Sequence, residues 1–213
     1  MDRLMDRLMD RPMRRYAILA ALALVAFVWL TTVVIAGSTL PLDLHIRFRI
    51  HDLAAAPLTT GMTIVTFFGS LRWLGPAAVA AFLLLRKDGQ RRSALVFAIV
   101  LAGSILFENS LKTMVHRPRP AAFFDVVEPN SYSFPSGHAL FSTSFYGTLG
   151  YLSARVAKSG TLRVFIWSSA LFSIVLICLS RVYLGVHYPT DVAGGVLVSC
   201  FWINAVLMFM KLP

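Results

Sequence analysis

Long apolar runs dominate this chain, and they admit few folds. Inside a bilayer every backbone polar group must find its partner within the protein, so a spanning segment is a helix or part of a closed barrel. A spanning helix takes about 20 mostly apolar residues. Runs of about that length lie at Tyr16 to Gly37, Ser93 to Val115, Ser136 to Ala157, Thr161 to Leu179 and Val192 to Met210. A further candidate, Leu71 to Leu85, is short, contains Gly75 and Pro76, and borrows length from the apolar stretch Leu58 to Phe68. The expectation is an all-α, integral membrane bundle of six transmembrane helices. It occupies residues 16–213 as a single domain behind a basic tail at 1–15.

Charge is scarce and placed with a pattern. Charged residues make up 14% of the chain, against about 25% in soluble domains. The net charge of +10 would suit a nucleic-acid partner. The basic residues, however, lie between apolar runs and form no single patch, so no nucleic acid is expected. With the N-terminus placed in the cytoplasm, Arg3, Arg7, Arg11, Arg14, Arg15, Arg86, Lys87, Arg91, Arg92, Arg155, Lys158, Arg163 and Lys211 all fall inside. Arg47, Arg49, Arg72, Lys112, Arg117, Arg119 and Arg181 fall outside. This asymmetry obeys the positive-inside rule. It predicts a multi-pass protein of the cytoplasmic membrane with both termini cytoplasmic. A cleaved signal peptide is the rival for the first run, but that run exceeds the 7–15 residues of a signal's apolar region. The opening MDRLMDRLMDRPM reads as a basic, poorly ordered tail. Cys178 and Cys200 sit in apolar runs and suggest packing rather than a disulfide or a metal site.

Ionisable residues beside spans are costly and are retained for function. Three outer segments collect them. In the first, Lys112 lies near the end of a helix, and Pro118 and Pro120 disfavour helix at Arg117 and Arg119. That helix should stop near Val115, leaving two cations seven residues apart. Glu108, four residues before Lys112, reads as a structural partner on the same face. In the second, Ser136 reads as an N-cap after Pro135, and a helix N-terminus offers N–H groups to an anion. Gly137 permits close approach, and His138 sits in the first turn. In the third, Arg181 ends one helix, Pro189 suits the first position of the next, and His187 precedes Asp191 by four residues. A carboxylate so placed fixes an imidazole tautomer and leaves the other nitrogen nucleophilic. Three cations suit a phosphoryl group, whose transition state spreads charge over its oxygens. They would repel a metal ion at His138, His187 and Asp191, so no metal or cofactor is expected. The segment Pro41 to Pro57 alternates apolar and charged residues and reads as a short surface helix or strand in the outer interface, with His45 and His51 interfacial.

Taken in order, K-x6-R-P at Lys112 to Pro120, P-S-G-H at Pro135 to His138 and S-R-x5-H-x3-D at Ser180 to Asp191 resemble the type 2 phosphatidic acid phosphatase superfamily, which shares its site with vanadium haloperoxidases. The resemblance implies an acid phosphatase/vanadium haloperoxidase-like six-helix core. It implies His187 as the nucleophile that forms a phosphohistidine, Asp191 as its orienting carboxylate, and His138 as the acid and then the base. Lys112, Arg119, Arg181, Ser136 and the N–H of Gly137 would hold the phosphoryl oxygens. Arg117 and His116 are expected to shape the rim. The implied activity is metal-independent hydrolysis of a lipid phosphate at the outer face of a bacterial cytoplasmic membrane. Undecaprenyl diphosphate leads as substrate, with phosphatidylglycerophosphate and phosphatidate as rivals. A phosphotransferase with the same site and a binding or transport protein are the competing classes.

Overall fold

The computed structural model describes residues 2–124 and 130–210, with side chains from residue 13 onward. Lys211, assigned above to the cytoplasmic side, lies outside the described residues, as do the side chains of Arg3, Arg7 and Arg11. The chain forms α1 (Asp2–Ile35), α2 (Leu40–His51), α3 (Ala56–Phe67), α4 (Leu71–Lys87), α5 (Arg91–Val115), α6 (Gly137–Val156), α7 (Gly160–Tyr183) and α8 (Pro189–Met210), with no strand among the described residues. Helical backbone therefore starts at Asp2, not at Tyr16. Met, Leu and Arg, which fill the tail, are good helix formers.

Among the described residues, four helices are long and apolar enough to cross a membrane: residues Met13–Ile35 of α1, and α5, α7 and α8. α3 and α4 add a fifth as one span bent by 44°. The expected count of six is thus not reached by length and apolarity. The shortfall is α6, which has 20 residues but carries His138, several Ser and Thr, and Arg155. Its position supplies the reason. α6 packs on α4, α5, α7 and α8, and twelve of its residues are buried. A helix surrounded by helices is solvated by protein and tolerates hydroxyls that find partners there. Ser144 does so, accepting from Ser104 of α5 at 2.7 Å and donating to Ser199 of α8 at 3.1 Å. Ser199 in turn donates to the Leu140 carbonyl at 2.7 Å. α7 is the opposite case, with Val164, Phe165, Leu171 and Phe172 exposed as a lipid-facing helix requires.

The break between α3 and α4 falls at Gly69 and Ser70. A Cβ at Gly69 would run into the Ile177 side chain and come within 3.1 Å of the His138 ring, so only glycine lets this elbow press against the start of α6. α1 lies along α8, and α3 along α7. Phe27 and Leu30 of α1, Phe97 of α5, Leu140 and Phe145 of α6, and Phe134 just before α6 belong to the main apolar cluster. α2 departs from its expected place. It is a helix, but it is no mere surface element: Asp43 and Arg47 are buried, and both tie it to the ends of the spanning helices.

Candidate active site

The end of α5 and the starts of α6 and α8 meet the end of α7 at one end of the bundle. α5 stops at Val115, and His116 caps it in the left-handed conformation at φ 53°. The stretch that follows is pinned by backbone: the Ser133 N–H donates to the Arg117 carbonyl at 2.9 Å, and the Ser136 N–H to the Asp191 carbonyl at 2.9 Å. A cavity of about 410 Å³ opens there, and Lys112, Arg119, Gly137, His138, Arg181 and His187 all line it. Phe67, Gly69, Ser70, Leu71 and Arg72 of the α3–α4 elbow form a further wall.

His187 is 2% exposed, in the turn between α7 and α8. Arg119 Nη1 lies 3.1 Å from its Nε2. A guanidinium only donates, so Nε2 must accept. The proton then sits on Nδ1, which faces Asp191 Oδ2 at 3.4 Å and Ser133 Oγ at 3.5 Å. The lone pair is thus directed into the cavity. Burial, with help from Arg181 and Arg119 and against the pull of Asp191, lowers the His187 pKa to about 4. At neutral pH the ring is uncharged, and its contact with Asp191 is a long hydrogen bond between a carboxylate and a neutral donor.

Asp191 is fully buried, and both of its oxygens are engaged. Oδ2 receives the Tyr188 N–H at 2.8 Å and the Ser133 hydroxyl, and Oδ1 receives Arg117 Nη1 at 2.5 Å. Arg117 also reaches Thr190 Oγ1 at 2.8 Å and Asp43 Oδ2 at 2.7 Å, and lies 4.2 Å above the Tyr188 ring. Asp43 accepts the Thr190 N–H at 3.0 Å and its hydroxyl at 2.7 Å, so a carboxylate from α2 caps α8 from outside. That placement also complements the helix dipole. Burial works against the Arg117 charge, but Asp191 and Asp43 more than offset it and raise its pKa. The rim position expected for Arg117 is therefore corrected. It lies behind the nucleophile candidate, where two buried carboxylates require one shared cation. His116 is exposed and packs against the Tyr132 ring at 4.6 Å.

The anion-facing groups are held from behind. Arg119 Nε and Nη2 donate to the Ser131 carbonyl (2.7 Å) and hydroxyl (3.0 Å), and Nη1 also reaches the Val186 carbonyl at 3.0 Å. Arg181, 6% exposed, donates to Thr66 Oγ1 at 2.6 Å. Lys112 Nζ meets Glu108 Oε1 at 2.5 Å, the pairing expected from their spacing. Gly137 leaves the room for it, since a Cβ there would sit 2.7 Å from the same oxygen. Ser136 occupies the N-cap position, but its side chain makes no cap hydrogen bond and does not line the cavity. Its buried Oγ and the Arg181 Nε have no partner among the described residues. Buried polar atoms without partners are rare, and that of Arg181, which lines the open cavity, points to a ligand. No three His, Cys, Asp or Glu side chains group as metal ligands among the described residues.

The sequence does not single out Asp43, Thr66, Arg72 or Ser133 for the site, and it places Arg117 at the rim. Asp43 and Arg117 carry one signal, being charges close to apolar runs. Nothing in the sequence pairs them with each other.

A helical membrane bundle with a cation-lined cavity and a buried, carboxylate-backed histidine defines a class, and comparison with known proteins supplies the family. The chain belongs to the PAP2 superfamily, whose model matches residues 93–212. It is 33% identical over 155 residues to phosphatidylglycerophosphatase B of Bacillus subtilis (strain 168), covering 70% of this chain and 71% of that one. It is 31% identical over 131 residues to an undecaprenyl-diphosphatase of Sulfolobus acidocaldarius, covering 59% and 58%. Among solved structures, the first transmembrane PAP2 type phosphatidylglycerolphosphate phosphatase from Bacillus subtilis superposes with a TM-score of 0.83 at 25% identity, covering 90% of this chain and 96% of that one.

Proposed function

We propose that this chain hydrolyses a phosphomonoester or diphosphate headgroup of a membrane lipid, through a phosphohistidine and without a metal. The observation that carries the reading is the His187 Nε2, 3.1 Å from Arg119 Nη1, in the lining of a cavity that Lys112, Arg119 and Arg181 share. Nε2 attacks phosphorus, and the bond from phosphorus to the leaving oxygen breaks as the N–P bond forms. His138 gives that oxygen its proton. It then takes one from water, whose oxygen attacks phosphorus and releases His187. Asp191 holds Nδ1–H throughout and stabilises the charge the ring acquires. Lys112, Arg119, Arg181 and the Gly137 N–H receive the three equatorial oxygens. Arg119 moves its Nη1 from Nε2 to a phosphoryl oxygen as substrate enters, which uncovers the nucleophile.

Arg72 supports a choice among substrates. It stands on the elbow wall and lines the same cavity as the three cations at His187. A fourth cation suits a leaving group that keeps an anionic phosphate. Undecaprenyl diphosphate and phosphatidylglycerophosphate have one; phosphatidate does not. Undecaprenyl diphosphate, with its charges on adjacent phosphates, remains the leading candidate. The basic side chains at the ends of α1, α4, α5, α6 and α7 away from the site support a cytoplasmic location for that end, with α6 as the sixth span. The site then faces outward, at headgroup level.

The test is phosphate release by the purified protein from undecaprenyl diphosphate, phosphatidylglycerophosphate, phosphatidate and a soluble phosphomonoester, with and without excess EDTA. The two lipids with a second phosphate should lead, Arg72→Ala should narrow their advantage, and EDTA should change nothing. His187→Gln should be inert. Hydrolysis by that variant at the wild-type rate removes the nucleophile assignment, and loss of rate in EDTA restored by zinc removes the metal-free chemistry.

A further inference from the structure

A second cavity, larger than the one at the candidate site, has a volume of about 710 Å³ and lies between α1, α6, α7 and α8 at the opposite end of the bundle. We propose that it binds one anionic phospholipid from the leaflet on that side.

Three features argue for this occupant. The mouth is basic: Arg15, Arg155 and Arg163 line it, and among the described residues no Asp or Glu lines any part of the cavity. Two of those side chains are steadied in place, Arg163 by its Nε on the Ala154 carbonyl at 3.3 Å and Arg155 over the Tyr151 ring at 5.7 Å. The interior is mainly apolar, walled by residues such as Leu171, Ile174 and Ile203, with Thr143 and Asn204 as polar exceptions. The depth also fits. The α6 wall runs from Arg155 to Thr143, twelve residues or about 18 Å at 1.5 Å per residue. One leaflet contributes about 15 Å to a hydrocarbon core of about 30 Å. A site with cations at the interface and an apolar slot one leaflet deep matches one anionic headgroup and its chains. Tyr16 and Tyr151, hydroxyls paired at 2.7 Å near the mouth, supply amphipathic rings at the level where chains join headgroup.

The cavity bears on the distant site through shared helices. α6 forms one wall and carries His138 at its other end; α8 forms another and carries Asp191 at its other end. A lipid that binds only the folded bundle stabilises it by mass action.

Native mass spectrometry and thermal unfolding of the full chain in a neutral detergent test the proposal, with dioleoyl phosphatidylglycerol and dioleoyl phosphatidylcholine as probes. Wild type should retain one phosphatidylglycerol, with a raised melting temperature, and hold phosphatidylcholine far more weakly. The double substitution Arg155→Gln with Arg163→Gln should weaken phosphatidylglycerol by about 30-fold, the factor expected of two basic side chains near a charged surface. Gly147→Leu should fill the slot, because a Cβ there meets only Ile203 at 3.7 Å, and should abolish retention of both lipids. Equal retention of the two lipids by wild type overturns the charge argument. Undiminished phosphatidylglycerol retention by the double variant overturns the site, since the lipid then sits elsewhere. If the Gly147 variant does not fold, the arginine pair alone decides the matter.

Discussion

Replacing Arg117 with methionine probes the part of the site that faces away from the substrate. The wild-type guanidinium joins two carboxylates, Asp191 Oδ1 at 2.5 Å and Asp43 Oδ2 at 2.7 Å, whose side chains are fully buried, and is itself only 10% exposed. Methionine fills much of the volume and takes away all of the charge. Removing one partner of a buried ion pair costs about 3–5 kcal/mol, because the other charge stays buried without compensation. For a chain of this size each kcal/mol lowers Tm by about 2–4 °C, so a fall of about 6–20 °C is expected. The rate should fall too. Asp191 loses its anchor, its hold on the His187 Nδ1 is already long at 3.4 Å, and a misplacement of about 1 Å can cost about 100-fold. Adding Asp43→Asn should recover part of the lost stability, since it removes one of the two stranded charges, but not the rate, since Asp191 remains unanchored. Both are measured on detergent-purified protein, by thermal ramp and by phosphate release at saturating substrate. An Arg117→Met enzyme that melts with wild type and turns over normally would show that neither carboxylate depends on Arg117, and the reasoning would fail.

The pH profile gives a second test. His187 must be unprotonated to attack, and its pKa in the free protein lies at about 4. The acid limb of kcat/KM, which reports the free enzyme, should therefore fall near pH 4 rather than near the ordinary histidine value of about 6.5. Activity is lost below that limb, as Nε2 takes up a proton. A limb near pH 6.5 that moves in Asp191→Asn would contradict the depressed value. Packing gives a third. A Cβ at Gly195 would lie 2.6 Å from the Ser136 carbonyl and 3.0 Å from the Leu140 N, both backbone atoms that cannot step aside. Gly195→Ala should cost about 1–3 kcal/mol in stability and lower the rate, by forcing α8 from the start of α6. Gly61→Ala, in α3 with nothing within 4 Å of its Cβ, should do neither.

Most of the helices were legible because each rests on a local cause. Val115 ends α5 where the prolines that follow forbid helix, and α8 begins at Pro189, whose missing N–H costs nothing at a first turn. The elbow at Gly69 and Ser70 was legible in outline, from an apolar run too short to stand alone. α6 reads in the sequence as one apolar run like the rest, since composition does not say which helix is surrounded by the others. The same holds for Arg117: its sequence neighbours suggest a rim, and only Asp43, 74 residues away, makes it an interior residue.

The sequence by itself determined the solvent, the helices and the residue types collected at one end of them, because hydropathy, proline and charge act over a few residues. Tertiary structure alone decided which nitrogen of His187 bears the proton, which cation backs Asp191, and that a second, basic-mouthed cavity opens at the far end. These depend on atoms brought within about 3 Å from distant parts of the chain. No periodicity encodes that proximity; it arises when α2, α5 and α8 pack.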